Sequence, residues 1–240
     1  MATKGGAGRT ARVRVVRRGR RRELRVDGTF ASSWQPGEVT TGSVWDVLAL
    51  PILALPPTRR NRVLVLGLGG GSAARLVRAL APEATIVGVE YDAEVLRAAR
   101  RHFGLDALGL EIVRSDARAY LAHEDRRFDL VIDDVFVGRG YHVHKPSWLL
   151  EPGLRLAAGR LARGGLLVSN TIDETAVVAA RLAARFPARV RVGIEGYDNR
   201  VLVAGPAGLD ARRLRAAARA EPRVAGILPR LRFTSLPRRR

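Results

Sequence analysis

The chain has 240 residues, 47% of them hydrophobic, which suits one α/β core with a small extension and excludes wholesale disorder. It contains no cysteine, so disulfides, zinc–thiolate sites and thiol nucleophiles are excluded. The formal net charge of +19 is unevenly spread: residues 1–25 hold ten Lys/Arg against one acid, residues 206–240 hold ten Arg against two acids, and the stretch between is nearly neutral.

Residues 1–10 read as a flexible basic start. From Arg12 to Val16 apolar and basic residues alternate, the period of a half-buried strand. Gly19 turns the chain, Glu23 to Val26 reads as a returning strand, and Asp27-Gly28 marks a turn before a third strand over Thr29 to Trp34. Residues 11–35 therefore make a small antiparallel β unit, closed by Pro36-Gly37. Val44 to Leu55 suits a buried helix ending near Pro51 or Pro56-Pro57, and is too short to cross a bilayer. The basic start has no apolar segment behind it, so no signal peptide is expected and the cytoplasm is the expected compartment.

After this leading segment, residues 11–61, β and α patterns alternate from residue 62 to 205. Val63 to Leu66 is a continuous apolar run ending in glycines, as in a strand buried on both faces of a parallel sheet. Helix Ser72 to Ala81, strand Thr85 to Val89, helix Ala93 to Phe103, strand Leu110 to Val113 and a short helix from Ala117 follow. Strand Leu130 to Ile132, helix Trp148 to Leu161, strand Leu166 to Val168 and helix Glu174 to Phe186 continue the series. Val190 to Ile194 and Val201 to Ala204 close it as a hairpin around Gly196-Tyr197-Asp198-Asn199. The fold class is thus α/β, a Rossmann-like doubly wound sheet with a terminal antiparallel hairpin, typical of class I methyltransferases. Residues 206–240 read as a basic helix and tail. The basic ends can attract nucleic acid, although an arginine-rich solvated surface is the plainer reading.

The chemistry should sit at the carboxyl ends of the strands. Gly67-Leu68-Gly69-Gly70-Gly71 follows a buried strand and opens a helix, so the backbone can approach a ligand closely beside free helix N–H groups. It reads G-x-G-x-G, with Ser72 where the third glycine of a dinucleotide fingerprint would stand, which favours an adenosyl ligand over NAD. Glu90, followed by Tyr91, ends the second strand of the series and can accept from two ribose hydroxyls. Asp116, before Ala117, can hold an adenine amino group or simply cap the next helix. Asp133-Asp134 ends the fourth strand; paired carboxylates repel, which can leave one with a raised pKa as a base. Neighbouring strand residues point to opposite faces, so one of the two is expected to face the site.

Phe103-Gly104-Leu105 and Phe128-Asp129-Leu130-Val131-Ile132-Asp133-Asp134 resemble the polyamine aminopropyltransferases, the spermidine synthase family. The resemblance runs from about Asp27 to Ala204. It implies that Gly67, Gly69, Gly70, Gly71, Glu90, Tyr91, Asp116 and Ala117 bind S-adenosylmethionine or its decarboxylated form, and that Asp134 activates an accepting amine. It also implies a homodimer through the N-terminal β unit. Several family features differ here. The aspartate of the family's GGGDGG loop falls on Gly70, the second acceptor acid on Val137, the glutamine of LDGxxQ on Ala31, and a Tyr and His on Ser43 and Val44. Loss of the loop aspartate would admit the carboxylate of ordinary S-adenosylmethionine, so methyl transfer to a small acceptor is the first reading and aminopropyl transfer the alternative. A non-catalytic nucleotide- or nucleic-acid-binding protein is a further alternative.

The segment Gly138 to Pro146 lies where this family binds acceptors. Tyr141 and His142 are candidates there for substrate contact or proton relay, with His144 nearby. The spacing of the two histidines brings no third ligand, so no metal is expected.

Overall fold

In a computed structural model the structure describes residues 12–237; the basic start at 1–10 lies outside them. The N-terminal unit is a three-stranded antiparallel sheet of β1 (Val13–Arg18), β2 (Arg21–Val26) and β3 (Thr29–Trp34). Its apolar residues Leu24, Val13, Val15 and Trp34 pack with Val95 and Phe103 of the main domain, so the small sheet rests on its own chain. Next comes α1 (Val44–Ala49), all six residues buried, followed by a 3-10 turn over Leu50–Ala54. The expected single helix from Val44 to Leu55 stops being α at that point. Pro51 has no N–H to give to the preceding turn.

The main domain runs β4 (Arg62–Leu66), α2 (Ser72–Leu80), β5 (Thr85–Glu90), α3 (Ala93–Phe103), β6 (Glu111–Arg114), α4 (Ala117–His123) and β7 (Phe128–Asp133). A two-stranded ribbon follows, β8 (Val137–Arg139) and β9 (His142–His144), then α5 (Leu154–Gly159), β10 (Leu161–Thr171) and α6 (Thr175–Ala183). The chain closes with β11 (Ala188–Ile194), β12 (Arg200–Gly205), α7 (Ala211–Arg219) and β13 (Leu231–Ser235). The eight-stranded sheet has the order β13-β11-β12-β10-β7-β4-β5-β6. Strands β6, β5, β4, β7 and β10 are parallel, while the β10–β12, β12–β11 and β11–β13 pairs are antiparallel. The expected doubly wound sheet with its terminal hairpin is therefore present.

Alternation along each strand divides the core in two. Val63 and Val65 of β4 join Leu130 and Ile132 of β7 on the face covered by α1, α2 and α7. Leu64, Leu66 and Val131 join the opposite face, under α4, α5 and α6. Both faces are buried, which explains the unbroken apolar run of β4.

Three segments differ from the sequence reading. Pro152 breaks the start of the expected helix Trp148 to Leu161: Glu151 before it is extended, with φ −158° and ψ 119°, and the α-helix begins at Leu154. Gly164-Gly165, between the expected helix and the expected strand Leu166 to Val168, lie within β10 at a register shift against β7; a Cβ on Gly165 would stand 2.9 Å from the Asp129 carbonyl oxygen. Leu231–Ser235, read as tail, adds strand β13 beside β11.

Candidate active site

Strands β4, β5 and β7 carry their loops to one end of the sheet, and the candidate residues gather there. Gly67 leaves β4 with φ +78°, and its N–H and that of Leu68 both donate to the Val89 carbonyl of β5, at 3.0 Å each. A Cβ on Gly67 would lie 2.5 Å from the Asp134 carbonyl oxygen, so only glycine lets β4 leave the sheet this close to the end of β7. Glu90 answers the loop from β5: its Oε2 accepts from Gly69 N–H at 2.9 Å and its Oε1 from Asp92 N–H at 3.0 Å. Burial raises its proton affinity against these two bonds, and each oxygen keeps lone-pair capacity for further donors. Tyr91, directly after it, is 68% exposed, a large ring facing solvent. Asp116 caps α4, its Oδ1 accepting from Ala119 N–H at 3.0 Å; the carboxylate is exposed and Ala117 is buried behind it.

The rest of the glycine loop faces the N-terminal sheet. Gly70 N–H donates to Ser32 Oγ at 2.7 Å, and Ser72 Oγ accepts from Ser33 N–H at 3.0 Å while donating to Ser33 O at 2.7 Å. A Cβ on Gly70 would stand 2.8 Å from Ser32 Cβ and 3.1 Å from Phe103 Cδ1, and one on Gly69 would stand 2.7 Å from Ser32 Oγ. This corrects the expectation that Gly70 marks a donor-selecting position. Its missing side chain makes room for β3, and an aspartate there would first collide with Ser32.

The two aspartates after Ile132 separate as strand alternation requires. Asp133 turns to the α5 and α6 side and is fully buried, bonded to Lys145 Nζ at 2.8 Å and Ser169 Oγ at 2.6 Å, with its other oxygen accepting from Val135 N–H at 3.2 Å. Sealed in this way it cannot meet a substrate, which removes it from the candidate catalytic groups. Asp134 turns to the α1 side and is half-buried. Its Oδ2 accepts from the Trp45 indole N–H at 3.1 Å and its Oδ1 from Asn170 Nδ2 at 2.7 Å. Asn199, in the β11–β12 turn, donates in turn to Asn170 Oδ1 at 3.0 Å. Burial pushes the Asp134 carboxyl up to about 7, against the Asn170 bond and the Lys145 charge, which pull it down.

Tyr141 and His142 do not join this group. The segment that carries them forms the β8–β9 ribbon, and its turn is fastened to the N-terminal sheet: Gly140 N–H donates to Asp27 O and Thr29 Oγ1 donates to Gly140 O, each at 3.1 Å. Tyr141 is 102% exposed there and His142 is exposed beside it, because side chains at a ribbon's turn project outwards. Among the described residues no three His, Cys, Asp or Glu side chains are grouped as a metal site would require.

Sequence reasoning missed Trp45, Asn170, Lys145 and Ser32. Ser43 and Val44, where the resemblance expects a Tyr and a His, are both buried, and the neighbouring Trp45 supplies the ring that reaches Asp134. For Asn170 a signal existed: Ser169-Asn170-Thr171 is a polar run at the carboxyl end of a buried strand, where ligand groups belong.

A family profile described as a methyltransferase domain matches residues 63–165. The chain is 33% identical over 97 residues to a probable polyamine aminopropyl transferase of Bifidobacterium longum, covering 40% of this chain and 21% of that one. It is 30% identical over 121 residues to a polyamine aminopropyltransferase of Vibrio vulnificus, covering 48% and 39%. It thus spans well under half the length of these curated relatives. A crystal structure of a probable spermidine synthase from Corynebacterium glutamicum shares the fold, with a TM-score of 0.74 over 97% of this chain and 89% of that one, at 19% identity.

Proposed function

We propose, from a methyltransferase domain at residues 63–165 and two polyamine aminopropyltransferase relatives, that this chain is a spermidine synthase-like transferase that uses an S-adenosyl nucleotide. Its reaction, in this reading, is methyl transfer from S-adenosylmethionine to a small nucleophilic acceptor. One observation carries it: at the end of β7, beside the glycine loop, stands a half-buried carboxyl held near neutral proton affinity by burial, with both oxygens oriented by neutral donors. Such a group is matched to taking a proton at physiological pH.

The donor set around the loop fits an adenosyl ligand. Glu90 would accept from the ribose hydroxyls with its free lone pairs, Tyr91 would lie against the adenine, and Asp116 and Ala117 would meet the adenine edge. Bound there, the nucleotide supplies an electrophilic carbon next to a sulfonium. Asp134 takes the proton of the attacking acceptor, and Trp45 and Asn170 fix the angle at which its carboxylate meets that acceptor.

Methyl rather than aminopropyl transfer is favoured by the acceptor side. Val137 stands where the second amine-binding acid is expected and lies exposed on β8; Asp133, next to Asp134 in the chain, turns to the opposite face and is already paired with Lys145. Aminopropyl transfer to an amine is the second reading, supported by both curated relatives. A homodimer and a cytoplasmic setting belong to the same proposal; no helix of the described residues is long and apolar enough to cross a membrane.

Calorimetry of S-adenosylmethionine and its decarboxylated form against the purified chain tests the reading. Preference for S-adenosylmethionine is expected. Preference for the decarboxylated form would replace methyl with aminopropyl transfer, and binding of neither would refute a transferase.

A further inference from the structure

Of 42 basic residues only two are lysines, Lys4 and Lys145, and Lys145 alone lies among the described residues. In a chain that otherwise uses arginine throughout, this lysine has a fully buried side chain. Its ammonium bonds Asp133 Oδ2 at 2.8 Å and reaches the Val135 carbonyl at 3.5 Å, with the Phe136 ring 4.7 Å away. Its own backbone N–H donates to Glu174 Oε1 at 2.7 Å, which ties the position to the start of α6. An arginine would bring a planar five-donor fork into a space that offers two acceptors, whereas a compact ammonium fits.

The two groups Lys145 holds belong to the residues on either side of Asp134. Asp133 is gripped through its carboxylate, which also holds the Val135 N–H at 3.2 Å, and Val135 is gripped through its carbonyl. We propose that Lys145 is a positioning residue of the active site: one buried ammonium pins both neighbours of Asp134 and so fixes the bend that presents its carboxylate to Trp45 and Asn170. This rests on the reading of Asp134 as the reacting carboxylate, and it adds a role for a residue that touches no substrate. The charge has a second effect. Lys145 favours the ionised form of Asp134 and Asp133 opposes it, while the groups that bond Asp134 from α1 and β10, Trp45 and Asn170, are neutral. Asp46 on α1 is engaged with Thr41 and Gly42, and Glu174 with the backbone of Lys145.

The test needs neither donor nor acceptor, so it stands or falls apart from the transferase reading, which the calorimetry above decides. The chain has three tryptophans, and the indole N–H resonance lost in Trp45→Phe reports the protonation of Asp134 through the bond to its Oδ2. In the parent this resonance should titrate near pH 7. Lys145→Met should move the midpoint up by about one unit, a tenfold gain in proton affinity, and Asp133→Asn should move it down. A purely structural role would move both variants alike or leave both unmoved, and either result overturns the proposal. Should Lys145→Met fail to fold, Asp133→Asn alone decides, since an unchanged or raised midpoint refutes it.

Discussion

Gly67 and Gly109 both have positive φ, +78° and +59°, but they differ in what a side chain would meet. At Gly109 nothing lies within 4 Å of an added Cβ, so Gly109→Ala should cost only the left-handed backbone, about 1 kcal/mol. At Gly67 the same methyl would lie 2.5 Å from the Asp134 carbonyl oxygen and 2.9 Å from its carbonyl carbon, both main-chain atoms of the neighbouring strand end. One of the two backbones must move by on the order of half an ångström, adding about 2 kcal/mol of overpacking strain. Equilibrium denaturation should therefore separate the variants by about 2 kcal/mol, or roughly 4–8 °C in Tm for a chain of this size. The same displacement moves Asp134, the carboxylate proposed to take the proton, so kcat in Gly67→Ala should fall by about 10²-fold while Gly109→Ala keeps the parent value. Equal stability losses in the two variants would refute the claim that close approach to β7 is what demands glycine after β4.

Further expectations follow from other side-chain contacts. Asp134 must be ionised to take a proton, so kcat/KM should rise about tenfold per pH unit up to about 7 and level off above it; Asp134→Asn should abolish transfer and keep donor binding by calorimetry. A raised folded-state pKa means that the proton stabilises the fold and that this contribution is lost as pH rises toward 7, so Asp134→Asn should raise Tm at pH 8 and leave it unchanged at pH 4. Ser32→Ala leaves the buried Gly70 N–H without an acceptor, which should cost about 1–3 kcal/mol in denaturation and weaken donor binding. Arg126 bonds Glu124 and Glu111 and depresses the Glu124 carboxyl to about 2; Arg126→Met should lower Tm at pH 7, a deficit that fades as the pH falls from about 4.5 towards 2.

What could be read in advance was whatever depends on local pattern. The unbroken run Val63–Leu66 announced a strand buried on both faces, the glycines after it a close approach, and Asp133-Asp134 a pair that strand alternation must split. Contacts between distant segments left weaker traces. Trp45 sits in an apolar run and reads as core, which it also is; only the fold shows its indole N–H meeting a carboxylate 89 positions away. Ser32 looks like an ordinary strand residue until β3 is laid against the glycine loop. Lys145 was readable as an oddity of usage, one of two lysines in an arginine-rich chain, but its partner was not, because the β8–β9 ribbon intervenes between it and Asp133. Strand β13 was hidden because its five residues carry only two apolar side chains, Leu231 and Phe233, within an arginine-rich end of the chain.

That last strand gives the basic end of the chain a different meaning. An open sheet presents a row of unsatisfied backbone groups along its outermost strand, an invitation for another chain to pair. Without β13 that row would belong to β11, whose Val190, Val192 and Ile194 are the kind of residues that pair readily. With it, the outermost position passes to a five-residue strand bearing Arg232, next to Arg215 stacked on Phe233. Short length and fixed positive charge are what discourage edge-to-edge association, so arginines that look like surplus charge act here as guards of the sheet's margin.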